Sequence, residues 1–329
     1  MLQYKLCLTI AQYKEPEEQI GLMLDSINIQ QGVDFSEIDV VIVNDGSDVL
    51  LSDVFLKSYK NIKNLRYIKN KKNIGLGLTR QRGLDECRSE YIMFLDSDDC
   101  FISGVALHTI MTALDANKPE ILLTTWLEER EQGGKPVFII KNNEMTWCHG
   151  KVFSVDFLRK NKLVFHKELR VHEDTYFVGL ACELAQNMIR IDFVSFLWKL
   201  NKNSMVRGND GAYQYEALPV FMRAVELLIE RLESEKQPEE NIVNRIVHFM
   251  LIVYFNLQMP VFKEERAKQS IIESEKKYRL LLKKYHLHLE KQFNSGSFAS
   301  KYNTARDRVL SSDYMERESF ADFIKRLSI

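Results

Sequence analysis

The chain carries almost no net charge: 45 Lys+Arg against 46 Asp+Glu leave −1 at pH 7. That balance excludes a global attraction to nucleic acid or an anionic membrane, leaving room only for a local basic patch. It also lacks any C-x-x-C pair; Cys7, Cys87, Cys100, Cys148 and Cys182 are scattered and odd in number. Such a set builds neither a disulfide framework nor a zinc site, and a reducing cytoplasm suits it better. Long apolar runs are missing as well. The longest, Val247 to Met259, is interrupted by His248, Asn256 and Gln258 and is too short to span a bilayer. The opening MLQYKLCLTIAQYKEPEEQ turns polar and acidic too early for a secretory signal and reads as a first strand. The expectation is a soluble or peripheral protein of the cytoplasm or the inner face of the membrane. No internal repeat or low-complexity segment is visible.

What is present is 329 residues at 45% hydrophobic content, enough for one large domain and a smaller one. The first half alternates strand and helix signals: strands at Lys5–Ile10, Ile38–Val43, Leu65–Ile68 and Tyr91–Leu95, helices at Glu17–Gln30 and Gly77–Cys87. Apolar strands separated by helices predict an α/β fold with a mostly parallel sheet covered on both faces. Ligands of such sheets bind beyond the carboxyl ends of the strands, where NDGS (44–47) and DSDD (96–99) fall.

From about Tyr213 the pattern becomes helical, with helices predicted over Leu218–Glu235, Glu239–Met259, Lys263–Lys291 and Tyr314–Leu327 and a break at NSGSFAS (294–300). The Gly208-Asn209-Asp210-Gly211 turn places a boundary near 213, giving domains 1–213 and 214–329. Ile246, Val247, Met250, Leu251, Val253 and Tyr254 nearly encircle their helix, which predicts burial against the first domain or another subunit. The stretch KKYRLLLKKYHLHLEKQF (276–293) suits a polyanionic acceptor, a peripheral membrane contact or a solvated helix face. His286 and His288, two apart on a helix, make a poor metal pair.

The densest chemistry is YIMFLDSDDC (91–100), where Asp96, Asp98 and Asp99 follow an apolar strand. Ser97 or Asp99 capping a helix that starts near Val105 is one reading. A hard divalent cation, which takes carboxylates together with the oxygens of a bound phosphate, is the other.

The order of the surrounding motifs resembles the family 2 glycosyltransferases of the GT-A fold over roughly residues 4–207. LTIAQYKEPEE resembles the family's opening strand and turn, with Ala11 where a Pro is usual and Lys14 where an Asn is usual. VVIVNDGSDV resembles its nucleotide loop, with Asn44 in the first Asp position. NIGLGLTRQRGLD, FLDSDD, WCHGKVF, VHEDTYF and WKLNKNSMVR follow in the family's order. The resemblance implies a GT-A, Rossmann-like mixed sheet flanked by helices, followed by a smaller all-helical C-terminal domain. It also implies an inverting enzyme that moves a sugar from a UDP-sugar to an acceptor hydroxyl.

On that resemblance, Asp45 accepts from the uracil N–H, and Arg80 contacts the base or the diphosphate. Asp98 holds Mn²⁺ or Mg²⁺, and Asp96 reaches the ribose or, through water, the ion. Ala11, Tyr13, Ser97, His149, Lys151, Ser204 and Arg207 complete the donor site. A hydrogen-bonded, partly buried histidine is an equal reading of His149. Asp174 is the expected general base, with Glu173 beside it to orient or tune it. The implied acceptor is a surface glycan or a polyol phosphate such as teichoic acid, and no nucleic acid is expected. Assembly through the C-terminal helices is an open possibility. A nucleotidyltransferase and a non-catalytic nucleotide-sugar scaffold are the competing readings.

Overall fold

A computed structural model describes residues 3–142, 144–201, 204, 212–309 and 318–328. The chain separates into two compact units, Met1–Asn201 and Lys202–Ile329. The expected boundary turn, 208–211, lies outside the described residues.

The first unit is built on one mixed nine-stranded sheet in the order β3-β2-β1-β4-β8-β6-β9-β5, with β7 paired to β6 alone. The strands are β1 (Tyr4–Gln12), β2 (Ile38–Asn44), β3 (Asn64–Lys69), β4 (Ser89–Asp96), β5 (Cys100–Phe101), β6 (Ile121–Gln132), β7 (Lys135–Lys141), β8 (Lys151–Ser154) and β9 (Met188–Trp198). Helices α1 (Glu17–Asn28), α2 (Asp53–Ser58), α3 (Leu76–Asp85), α4 (Ala106–Asn117), α5 (Val155–Lys160) and α6 (Glu173–Leu184) connect them.

Strand β2, IDVVIVN, is buried at every position, as a β-branched strand covered on both faces must be. Helix α1 buries Ile20, Met23, Leu24 and Ile27, the i, i+3, i+4, i+7 stripe of a core-facing helix. Helix α3 lies so close to β1 that a side chain at Gly83 would place its Cβ 2.0 Å from Thr9 Oγ1.

Register decides where the chemistry gathers. Strand β1 runs parallel to both β2 and β4, pairing Ala11 with Val43 and Asp96, and Gln12 with Asn44. The NDGS and DSDD turns therefore emerge side by side at one edge of the sheet.

The capping reading of the acids does not hold. Cys100–Phe101 form β5, antiparallel to β9, and Val105 occupies the N-cap of α4 with no side-chain cap, so neither Ser97 nor Asp99 serves it.

The second unit contains α7 (Ala212–Glu216), α8 (Leu218–Ser234), α9 (Glu239–Gln258), α10 (Lys268–Phe293), α11 (Phe298–Val309) and α12 (Phe320–Leu327). Helix α9 buries Ile246, Val247, Phe249, Met250, Leu251, Val253 and Tyr254, so its apolar surround is core of this unit. Helix α10 starts later than expected because Pro260–Lys263 forms a separate 3₁₀ turn. The predicted start of the last helix at Tyr314 lies outside the described residues. Among the described residues no helix is long and apolar enough to cross a membrane.

Candidate active site

The first component is the turn after β2. Asn44 is fully buried and uses both ends of its amide: Nδ2 donates to Gln12 Oε1 (2.8 Å), Val49 O (3.0 Å) and Tyr67 Oη (2.9 Å), while Oδ1 accepts from Ser47 N (2.8 Å). The substitution of Asn for the family's Asp thus matches a pocket rich in acceptors. Gly46 follows with φ +70°, and a Cβ there would come within 2.2 Å of the Lys72 backbone carbon. This close approach brings the 70–75 loop onto Asp45, whose buried carboxylate accepts from Ile74 N (2.8 Å), Gly75 N (2.9 Å) and Asn70 Nδ2 (3.2 Å). Two of those donors fall on Oδ1 and one on Oδ2. Asp45 therefore clamps the loop and retains acceptor capacity on Oδ2 for one further donor.

The second component is the acidic turn after β4. His149 is enclosed by Trp126, Phe196 and Trp198, with ring centroids 5.1, 5.8 and 5.4 Å away. Its Nε2 lies 3.5 Å from Asp96 Oδ2 and 3.5 Å from Asp99 Oδ2. Burial alone would lower the imidazole's pKa, but the two carboxylates raise it to about 9. Asp99 is fully buried and pushed up to about 7 by burial, against the pull of His149, while its Oδ1 accepts from Lys199 N (2.9 Å). Burial also pushes Asp96 up, but Arg80 and His149 outweigh it and hold the carboxyl well below the usual range. Asp98, the expected principal metal ligand, accepts from Asn201 Nδ2 (2.9 Å) and stands outside the cluster. Burial raises its pKa, with Asn201 opposing.

These side chains fit a divalent cation. One ligand atom each from Asp96, Asp99 and His149 fall within 4.8 Å of one another. Asp99 Oδ2 and both His149 ring nitrogens are buried without a hydrogen-bond partner. Two carboxylates and an imidazole suit Mn²⁺, with carboxylates also serving Mg²⁺.

The third component joins α3 to α6. Arg80 is 4% exposed, its Nη2 bonding Asp96 Oδ1 at 2.6 Å and its Nη1 bonding Glu173 Oε1 at 2.8 Å. The guanidinium that was expected to face base or diphosphate is thus held between two carboxylates. Burial and Asp174 push Glu173 up, with Arg80 opposing. Asp174, half-buried on the same turn, accepts from Thr175 N (2.7 Å). Its pKa is raised by burial and lowered by the fields of Arg80 and His149, which places it within electrostatic reach of both.

The remaining expected residues divide. Ala11 stands at the carboxyl end of β1 beside Asp96, Ser97 is buried in the acidic turn, and Tyr13 is 39% exposed just beyond β1. Lys151 is only 1% exposed and turned inward, its Nζ 3.6 Å from Glu144 Oε2. Ser204 is half-buried and belongs to the second unit; Arg207 lies outside the described residues. The partners not anticipated are Asp99 as a member of the cluster, Gln12 and Asn201 as hydrogen-bond partners, and the three tryptophans. Trp126, Trp147 and Trp198 are all the tryptophans in the chain and their rings meet within 5.6–6.2 Å, from β6, β9 and the turn before β8. Nothing in their spacing signals this.

The turn after β2 and the acidic turn after β4 thus emerge side by side, and Arg80 links the acidic turn to the first turn of α6. Residues 7–166 match the family described as "Glycosyl transferase family 2". An uncharacterized glycosyltransferase of Methanocaldococcus jannaschii, MJ1057, is 27% identical over 166 residues, 50% of this chain and 52% of that protein. Poly(ribitol-phosphate) beta-glucosyltransferase of Bacillus spizizenii is 26% identical over 185 residues, 53% of this chain and 28% of its own length. The chain thus spans about half or less of these two relatives. The crystal structure of S. aureus TarS 1-349 in complex with UDP shares the fold, with a TM-score of 0.61 at 16% identity over 93% of this chain and 90% of that one.

Proposed function

We propose that the protein is an inverting glycosyltransferase that moves a sugar from a UDP-sugar to a hydroxyl of a cell-surface glycan or polyol phosphate. The observation that carries this reading is the convergence of a cation-type cluster (Asp96, Asp99, His149) and an acid pair (Glu173, Asp174) on one arginine at the carboxyl edge of the sheet. Asp45 Oδ2 receives the N–H edge of the uracil; a base without that donor leaves the carboxylate unpaired, which gives selectivity. Asp96, Asp99 and His149 would hold Mn²⁺ or Mg²⁺, which when bound supplies charge stabilisation to the donor diphosphate. Asp174 takes the proton from the acceptor hydroxyl as that oxygen bonds to C1 of the sugar from the face opposite the diphosphate, the C1–O bond to the diphosphate breaks and UDP leaves; its raised pKa suits a base. The acceptor class is supported by the poly(ribitol-phosphate) beta-glucosyltransferase relative.

The test is transfer and UDP release from a panel of UDP-sugars, with Mn²⁺ and with EDTA, onto ribitol- or glycerol-phosphate oligomers. Sugar transfer from at least one UDP-sugar supports the reading; failure to bind UDP or any UDP-sugar rejects it.

A further inference from the structure

We propose that Arg80 is a positioning residue that ties the first turn of α6, which carries Asp174, to Asp96 at the end of β4, and that it makes no contact with the donor. The inference rests on the glycosyltransferase reading given above for its chemical meaning, but its geometry stands alone. Both terminal nitrogens of the guanidinium are committed, at 2.6 Å to Asp96 and 2.8 Å to Glu173. The side chain is 4% exposed, so the fork is turned away from solvent, and Nε is buried without a hydrogen-bond partner. A planar fork can hold two carboxylates at a fixed separation, which a lysine's single ammonium cannot do.

Helix α6 needs such a tie. Its N-cap is His172, in the left-handed region at φ 58°, which gives no side-chain cap, and within the first turn Asp174 Oδ1 accepts from Thr175 N. Four N–H groups open the helix, so its first turn would fray without an external hold. Gly77 of α3 lies against that turn: a Cβ there would sit 2.8 Å from both Cβ and Cγ of Glu173. Two helices that meet this tightly, one of them holding the other's first carboxylate, keep the acceptor base at a set distance from the cation cluster. Glu173 then serves as the anchor, and Asp174, one residue on, keeps a carboxylate for the acceptor. Donor and acceptor halves of the reaction are thereby held in register by one side chain.

The experiment compares Arg80→Gln and Glu173→Gln with the parent in two readouts. UDP affinity is measured by calorimetry in EDTA, so that any disturbance of Asp96 as a cation ligand does not enter, and sugar transfer is followed under single-turnover conditions with saturating donor. Expected are a UDP Kd within about threefold of the parent and a transfer rate lower by about 10²-fold or more in each variant, since small misplacement of a reacting group has effects of that order. The double variant should fall no further than the worse single one. A UDP Kd weakened tenfold or more in Arg80→Gln alone makes Arg80 a donor ligand and overturns the proposal, as does undiminished transfer.

Should Arg80→Gln fail to fold, Gly77→Ala displaces Glu173 from the opposite helix and must show the same split; full transfer in that variant overturns the proposal. The double-mutant cycle of Arg80 and Glu173 in urea unfolding separates this inference from the functional reading. Coupling of at least tenfold in the unfolding equilibrium is expected whether or not the parent transfers sugar, and its absence removes the tie.

Discussion

Cation loading should compete with protons at His149. Because Asp96 and Asp99 raise the imidazole to about 9, the ring is protonated through neutral pH and must lose that proton to act as a ligand. The sign follows: affinity for Mn²⁺ rises with pH until about 9 and then levels. One displaced proton gives about tenfold per pH unit, so from pH 7.5 to 8.5 the gain is about 10-fold, or ~1.4 kcal/mol. Below about 7 Asp99 is protonated as well, and the slope should steepen toward two protons. Calorimetry in two buffers of different ionisation enthalpy counts the protons released, and electron paramagnetic resonance gives the bound fraction independently. His149→Gln, which retains a donor and an acceptor but does not titrate, should flatten the dependence above pH 7.5. A Mn²⁺ affinity that does not change between pH 7.5 and 8.5 in the parent would refute the assignment of His149 as a ligand.

Asn44→Asp, which restores the family's usual residue, should lower stability by roughly 1–3 kcal/mol, because the new oxygen would face Gln12 Oε1 and Val49 O; urea unfolding reads it, and an unchanged midpoint contradicts it. Gly46→Ala should weaken UDP binding at least tenfold by pushing the 70–75 loop away from Asp45, as calorimetry would show; wild-type affinity would mean that the loop does not shape the base site. Asp45→Ala should cost about 1–3 kcal/mol of UDP affinity, and equal affinity would remove Asp45 from the site.

The sequence made the parallel half of the fold readable because its strands are continuous apolar runs closed by turn residues: β1 through β4, α1 and α3 fall within a few residues of expectation. Helix α2 escaped because it is only six residues with no buried face. Strands β5 to β9 carry mixed signals. Leu122 to Trp126 of β6 are buried, yet the same strand ends in the charged EEREQ (128–132), whose first residue still pairs with β9 and whose last four, Glu129 to Gln132, pair with β7. In the site, residue types announced by motif were legible, whereas partnerships made by tertiary packing were not. Arg80 falls in a stretch that resembles a family motif, but only the fold shows Glu173, 93 positions away, beside it. His149 was equally readable as a hydrogen-bonded core histidine. Only the fold shows aromatic rings from β6 and β9 enclosing it, with the carboxylates of Asp96 and Asp99 3.5 Å from Nε2.

The most direct test of the proposed mechanism is Asp174→Asn, assayed for UDP-sugar binding and for transfer in the same preparation. Asn keeps the size of Asp and can still accept from Thr175 N, so the first turn of α6 and the donor site should be undisturbed. Donor affinity within about twofold of the parent, with transfer reduced on the order of 10²–10⁴-fold, is the predicted result for loss of a general base. Transfer at the parental rate in Asp174→Asn, or its loss in Glu173→Gln alone with Asp174→Asn unaffected, would contradict Asp174 as the base.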